Sequence, residues 1–270
     1  MSDALARNKA FAVRKLPGFP TIAVLCFVLL YAPIVALVVY SFNAGTNIAL
    51  WEGFSLKWYH VAWQNEQVRE VTIRSFVLAS VASFSATVLA TLAALGTTRT
   101  ENYRGRTAVY ALINQPLMVP EIVTGVALLI FFAIIKTVTG YHGLFYLMLA
   151  HTAFCIPFAY LPIRARLEGM DISLETAAQD LYATPWQTFV RITLPLLWPG
   201  ILAGAMLAFV ISLDDVVITE LVKSAGQDTL PTYMLGQLRR GITPEVNAIS
   251  SALLGISILL VSIFYLLRNR

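Results

Sequence analysis

Six long apolar runs constrain this chain more than any other feature of its sequence. About 20 apolar residues cross the hydrocarbon core of a bilayer. Runs of that order fall at Thr21–Phe42, Val71–Leu95, Ala108–Val138, Gly143–Ile163, Pro199–Leu221 and Val246–Leu267. With 270 residues, 58% of them hydrophobic and 13% charged, six spans leave little room for a soluble domain. The reading is one polytopic membrane domain, 21–270, behind a short tail, 1–20. The third run is longer than a crossing needs and contains Pro116 and Pro120, so it is expected to kink there or to lie partly outside the core.

Cations in the short loops set the orientation. Twelve of the 19 Lys and Arg residues fall on the side of the two termini, among them Arg7, Arg14, Arg99, Arg104, Arg164, Arg191 and Arg270. The other seven are Lys57, Arg69, Arg74, Lys136, Lys223, Arg239 and Arg240. Both termini are therefore expected in the cytoplasm. The net charge of +4 follows from this bias and gives no indication of nucleic acid. The first run is too long for the apolar region of a cleaved signal and lacks a clear small-residue cleavage site. Cys26 and Cys155 both fall inside spans and read as small packing residues.

Two connections carry patterning. On the outer side, Trp51, Phe54, Trp58, Tyr59 and Trp63 sit among polar residues, which suits a short helix anchored at the membrane interface. On the inner side, the stretch of about 35 residues "RARLEGMDISLETAAQDLYATPWQTFVRITLPLLWPG" is patterned for helix. Asp171 or Ser173 can cap it, Glu175 suits the first turn, and Leu174, Ala177, Ala178 and Leu181 form a small apolar stripe. Such a stripe needs a surface, either the chain's own bundle or a partner. Thr184-Pro185 then breaks the helix.

The stretch "LAFVISLDDVVITELV" sets the chemical question. An acid inside a membrane costs about 2.5 to 3.5 kcal/mol on insertion scales, yet Asp214 and Asp215 are adjacent and Glu220 follows. Read as one helix, Gly204, Ala208, Ser212, Asp215 and Thr219 make a small, polar stripe suited to a subunit interface or an aqueous lumen. Asp214 is then about 100° away, available to pair within the fold. Glu121, in "MVPEIVTG", lies about 20 Å along the third run and Asp215 about 24 Å along the fifth, at comparable depth. Either these acids face a cation, or the aspartates cap a broken helix. His151, within a span, reads as a hydrogen-bonded packing residue. The sequence contains no G-x-x-x-x-G-K-[ST], H-E-x-x-H, Cys/His cluster or G-x-S-x-G, so nothing points to an enzyme.

At the inner loop the sequence resembles a known family. "LETAAQDLYATPWQTFVRITLPLLWPGI" is similar to the EAA loop of ATP-binding-cassette importer permeases, whose pattern is E-A-A, three residues, Gly, then I-x-L-P. "LYAPIVALVVYSFN", "WEGFSLKWY", "PLMVPEIVTG", "LAHTAFCIPF", "ISLDDVV" and "TPEVNA" narrow the resemblance to the spermidine/putrescine branch, over nearly the whole chain. Ala177 and Ala178 match the two alanines, while Thr176 stands in place of Glu and Tyr182 in place of Gly.

The resemblance implies an all-α fold of the type I importer permease class: six transmembrane helices in the bacterial inner membrane, with the coupling loop near 164–195. It implies a homologous second permease subunit, an ATPase dimer holding the ATP and Mg, a periplasmic polyamine-binding protein, and no cofactor on this chain. The coupling residues implied are Glu175, Thr176, Ala177, Ala178, Asp180, Leu181 and Tyr182. With polyamine as cargo, Glu121, Asp214, Asp215, Ser212 and Thr219 become the expected path for ammonium groups, with aromatic walls beside them. A different small cation or amino-acid-derived solute, or a proton-coupled secondary carrier, remains an alternative.

Overall fold

The computed structural model describes residues 18–47, 50–100, 104–241 and 243–268. The N-terminal tail expected at 1–20 lies almost wholly outside the described residues. Among the described residues there are twelve α-helices and no strand beyond one isolated bridge, Asn43 to Phe54. Six helical segments are long and apolar enough to cross a membrane, at Pro20–Tyr40, Glu66–Thr98, Glu121–Thr139, Phe145–Glu168, Pro185–Asp214 and Pro244–Ser262.

The chain forms two compact units. The first, 1–62 with 242–253, holds α1 (Phe19–Tyr40) and the start of α12 (Pro244–Arg268). After α1 the chain turns around the buried side chain of Asn43. Its amide donates to Leu50 O at 2.6 Å, and its Oδ1 accepts from Glu52 N at 2.8 Å. Phe42 stacks on Phe54 at 5.4 Å and packs on Tyr59 at 5.3 Å, and Trp58 Nε1 donates to Gly45 O. The expected interfacial helix forms only from Lys57 (α2, Lys57–Gln64), so Trp51 and Phe54 sit in the turn before it.

The second unit, 63–241 with 254–270, has α3 (Glu66–Thr98), α6 (Phe145–Glu168) and α9 (Leu194–Asp214) as its core. Small residues let these helices approach. Ala79, Ala82, Ala86, Ala90 and Ala94 of α3 are fully buried. A Cβ on Gly204 of α9 would lie 2.6 Å from the Ala159 carbonyl of α6. Without a hydrophobic drive between helices in lipid, such close backbone contact is a principal source of association. Cys155 is buried in this contact, its thiol directed at Ala208 O, whereas Cys26 is exposed on α1.

Two apolar runs are not single helices. The third divides into α4 (Arg106–Met118) and α5 (Glu121–Thr139). Val119, preceding Pro120, takes an extended conformation at φ −103° and ψ 138°, as the clash with the proline ring favours. Only α5 is long enough to cross. The fifth run ends its helix at Asp214, and after extended Asp215 a short helix α10 (Val217–Val222) begins. It packs on α5 and α6. Lys136 closes its far end by donating to Val222 O at 3.0 Å. Helix α11 (Leu230–Arg240) follows and packs on α3.

Candidate functional site

The break after α9 is built by Asp215. Its Oδ1 accepts from Ile218 N at 3.2 Å, and its Oδ2 accepts from Thr219 N at 2.8 Å and the Thr219 hydroxyl at 2.7 Å. An Asp at a helix start is strongly favoured because it satisfies amides that have no intrahelical partner. Asp215 is only 6% exposed. His151 of α6 braces the break, with Nδ1 2.8 Å from Ser212 Oγ and Nε2 2.9 Å from Thr219 Oγ1. Because the Thr219 hydroxyl donates to Asp215, it accepts from His151 Nε2–H. The expectation for His151 as a hydrogen-bonded packing residue agrees with this geometry.

The arrangement alters two expectations for the acids. The stripe of Gly204, Ala208, Ser212, Asp215 and Thr219 is not the face of one continuous helix; it is buried in the fold, with Asp215 reaching an open groove. All five residues are buried, and Gly204, Ala208, Ser212 and Thr219 meet Ala159, Cys155 and His151 of α6. Asp214, expected to pair within the fold, is exposed instead, while Asp215 makes the internal bonds. The cause is the helix break, which resets the angular relation that a straight helix would give these neighbours.

Glu121 and Asp214 nevertheless come together with Asp215. An open groove of about 350 Å³ is lined by these three carboxyls, by Phe154 and Phe158 of α6, and by Val210, Ile211, Val216 and Val217. Glu121 is the first residue of α5. The helix start suits an acid there by itself. The last turn of α9, whose carbonyls form its negative pole, ends at the groove through Ile211 and Asp214. The α10 and α5 N-termini answer the charges of Asp215 and Glu121, so the surplus negative potential comes from Asp214 and that pole. A cation entering between adjacent carboxyls would relieve their repulsion. Phe154 and Phe158, one helical turn apart in "LAHTAFCIPF", supply the aromatic wall. The sequence reading missed them as individuals, and their spacing of four was the available signal.

The second set of residues lies on the connection between α6 and α9. Helix α7 (Ser173–Asp180) starts where Asp171 accepts from Ser173 N at 2.9 Å, a bond that holds the Asp171 carboxyl below its ordinary pKa. Ala178 is buried, whereas Thr176, Ala177, Asp180, Leu181 and Tyr182 are exposed, Tyr182 at 95%. The stripe is therefore divided: Ala178 packs on the chain itself, and Leu174, Ala177 and Leu181 face outward. Tyr182 has φ 60°, the left-handed region, which explains why a glycine suits this position. Helix α8 (Pro185–Thr188) carries a capping box from Thr184 and Gln187, and a π-helical turn, Phe189–Thr193, leads into α9. Glu175 is turned inward, onto Arg99 and Thr193, two partners the sequence did not indicate.

Residues 86–270 match the family described as binding-protein-dependent transport system inner membrane component. The chain is 37% identical over 237 residues to the putrescine transport system permease protein PotI of Escherichia coli (strain K12), covering 87% of this chain and 84% of that protein. It is 35% identical over 241 residues to the spermidine/putrescine transport system permease protein PotC of Haemophilus influenzae, covering 89% and 92%. Among solved structures, a bacterial ABC transporter involved in import of the acidic polysaccharide alginate superposes with a TM-score of 0.70 at 18% identity, covering 93% of this chain and 91% of that one. The MetNI methionine ABC transporter superposes at 0.64 with 19% identity, covering 78% and 97%. At these identities the two structures share the fold, that of ABC importer permeases.

Proposed function

Because the chain belongs to the binding-protein-dependent transport system inner membrane components, we propose that it is the transmembrane permease subunit of an ATP-binding-cassette importer for polyamines. The observation that carries this reading is the groove. Two exposed carboxyls, a third beside them, a helix negative pole and two aromatic rings meet in one place. Polyamines present ammonium groups separated by methylenes, and both parts find complementary chemistry there. The relatives named for putrescine and spermidine/putrescine transport support the same class.

In this reading Glu121 and Asp214 touch the passing ammonium groups. Asp215, with Ser212 and Thr219, fixes the helix break that presents them. A homologous second permease completes the path, and a binding protein delivers the cargo on the outer side. ATP and Mg are held by a separate ATPase pair, docked on Thr176, Ala177, Asp180, Leu181 and Tyr182. Glu175 and Ala178 secure the loop from within. The chain is multi-pass in the inner membrane, with both termini cytoplasmic. The experiment is ATP hydrolysis by the reconstituted complex, stimulated by its binding protein across a panel of amines. Stimulation by putrescine or spermidine, and not by neutral amino acids or sugars, is expected. Stimulation by a neutral solute alone would refute the reading.

A further inference from the structure

Glu175 joins three helices through one oxygen. Its Oε1 accepts from Arg99 Nε at 3.2 Å and lies 3.1 Å from Arg99 Nη2. The same oxygen accepts the Thr193 hydroxyl at 3.0 Å. Arg99 is the residue that ends α3, and Thr193 is the last residue of the π-helical turn that opens α9. The side chains of Glu175 and Arg99 are only 16% and 18% exposed. Helix α7 has eight residues, too few to be stable alone, and Ala178 is its only buried residue. Its attachment to the membrane helices therefore depends heavily on this carboxylate.

We propose that Glu175 is a positioning residue for the coupling step, the joint through which displacement of α7 reaches α3 and α9. This rests on the reading of α7 as the coupling helix. The mechanical argument is that a poorly solvated charge pair resists separation, since parting it leaves each charge without a partner. A push on the exposed face of α7 then carries Arg99 and Thr193 with it. Both Arg99 contacts go to a single carboxylate oxygen, so a small rotation of α7 can redistribute them without breaking the pair. The π-helical turn supplies compliance where α9 must turn relative to α8. α3 and α9 are core helices of the second unit, so motion delivered to their ends moves that core. The competing account is a static clamp that only keeps the loop folded.

The two accounts differ in transport per ATP. The complete complex, with second permease, ATPases and putrescine-loaded binding protein, is reconstituted in proteoliposomes, and putrescine uptake is measured against ATP hydrolysed. Glu175→Gln keeps the shape and removes the charge. It should lower putrescine moved per ATP by at least about tenfold, with ATP hydrolysis and assembly retained. Thr193→Val should lower the same ratio less. Arg99→Glu combined with Glu175→Arg should recover part of what each reversal alone loses. An unchanged ratio in both Glu175→Gln and Thr193→Val overturns the proposal. If Glu175→Gln yields no complex, Thr193→Val and the reversed pair decide, and a normal ratio in Thr193→Val without recovery by the pair overturns it. Leu181→Asp, on the exposed face, separately tests the reading beneath. If that variant still retains the ATPase and couples normally, α7 is not the coupling helix, whatever Glu175 does.

Discussion

Replacing Asp214 and Asp215 by Asn, one at a time, separates two roles that their adjacency conceals. Asp215 accepts from Ile218 N, Thr219 N and the Thr219 hydroxyl while almost fully buried. An Asn offers one acceptor oxygen, so its amide NH₂ must face at least one of those donors. Weakening such a cap costs about 0.5 to 2 kcal/mol, and stranding a buried donor adds about 1 to 3 kcal/mol. A loss of about 1.5 to 5 kcal/mol follows, on the order of 3 to 20 °C in the thermal midpoint at about 2 to 4 °C per kcal/mol for a chain of this size. Asp214 is exposed and makes no comparable bonds among the described residues, so Asp214→Asn should leave the midpoint within about 1 °C, as for a surface change. Thermal unfolding of the purified complex in detergent measures the first effect, and initial putrescine uptake measures the second. Asp214→Asn should reduce uptake severalfold with the fold intact. A normal midpoint for Asp215→Asn together with a lowered one for Asp214→Asn would refute the assignment of the cap.

Tyr182→Gly should raise the stability of the complex by about 1 kcal/mol, because a tyrosine at φ 60° carries a steric cost that glycine does not; differential scanning fluorimetry reads it. Gly204→Val places a branched side chain where even a Cβ comes 2.6 Å from Ala159 O, so it should cost about 1 to 3 kcal/mol and lower the yield of folded protein in gel filtration. Ala177→Arg should insert and assemble with the second permease yet lose the ATPase on co-purification. Ala178→Arg, at a buried position, should destabilise the loop itself and show increased proteolysis there.

The spans were legible because their signal is cumulative. About 20 apolar residues in succession identify a crossing whatever the details, and Pro120 marked the division of the third run. The break at Asp215 was legible only as one of two alternatives, aspartates capping a broken helix, because "SLDDVVITE" can also continue a helix. Only the burial of Thr219 beside His151 shows which aspartate becomes the cap. Extrapolating a straight helix across that point exchanged the roles of Asp214 and Asp215. Gly204 and Ala208 are small for the sake of α6, a tertiary fact with no local signature. In the loop, the match to a family pattern located the surface, and the departure at Tyr182 acquired its meaning from one dihedral angle. Arg99 lies 76 residues from Glu175, beyond the reach of any spacing rule.

The most direct test of the account is putrescine uptake by the complex carrying both Glu121→Gln and Asp214→Asn, measured in proteoliposomes with assembly, thermal midpoint and ATP hydrolysis as controls. Each exposed acid is expected to supply a charge-assisted contact worth about 1.5 to 3 kcal/mol. The double variant should therefore lose at least about 90% of uptake at limiting substrate while it still assembles and hydrolyses ATP. Uptake at the wild-type rate, with those controls normal, would contradict the claim that this groove carries the cargo.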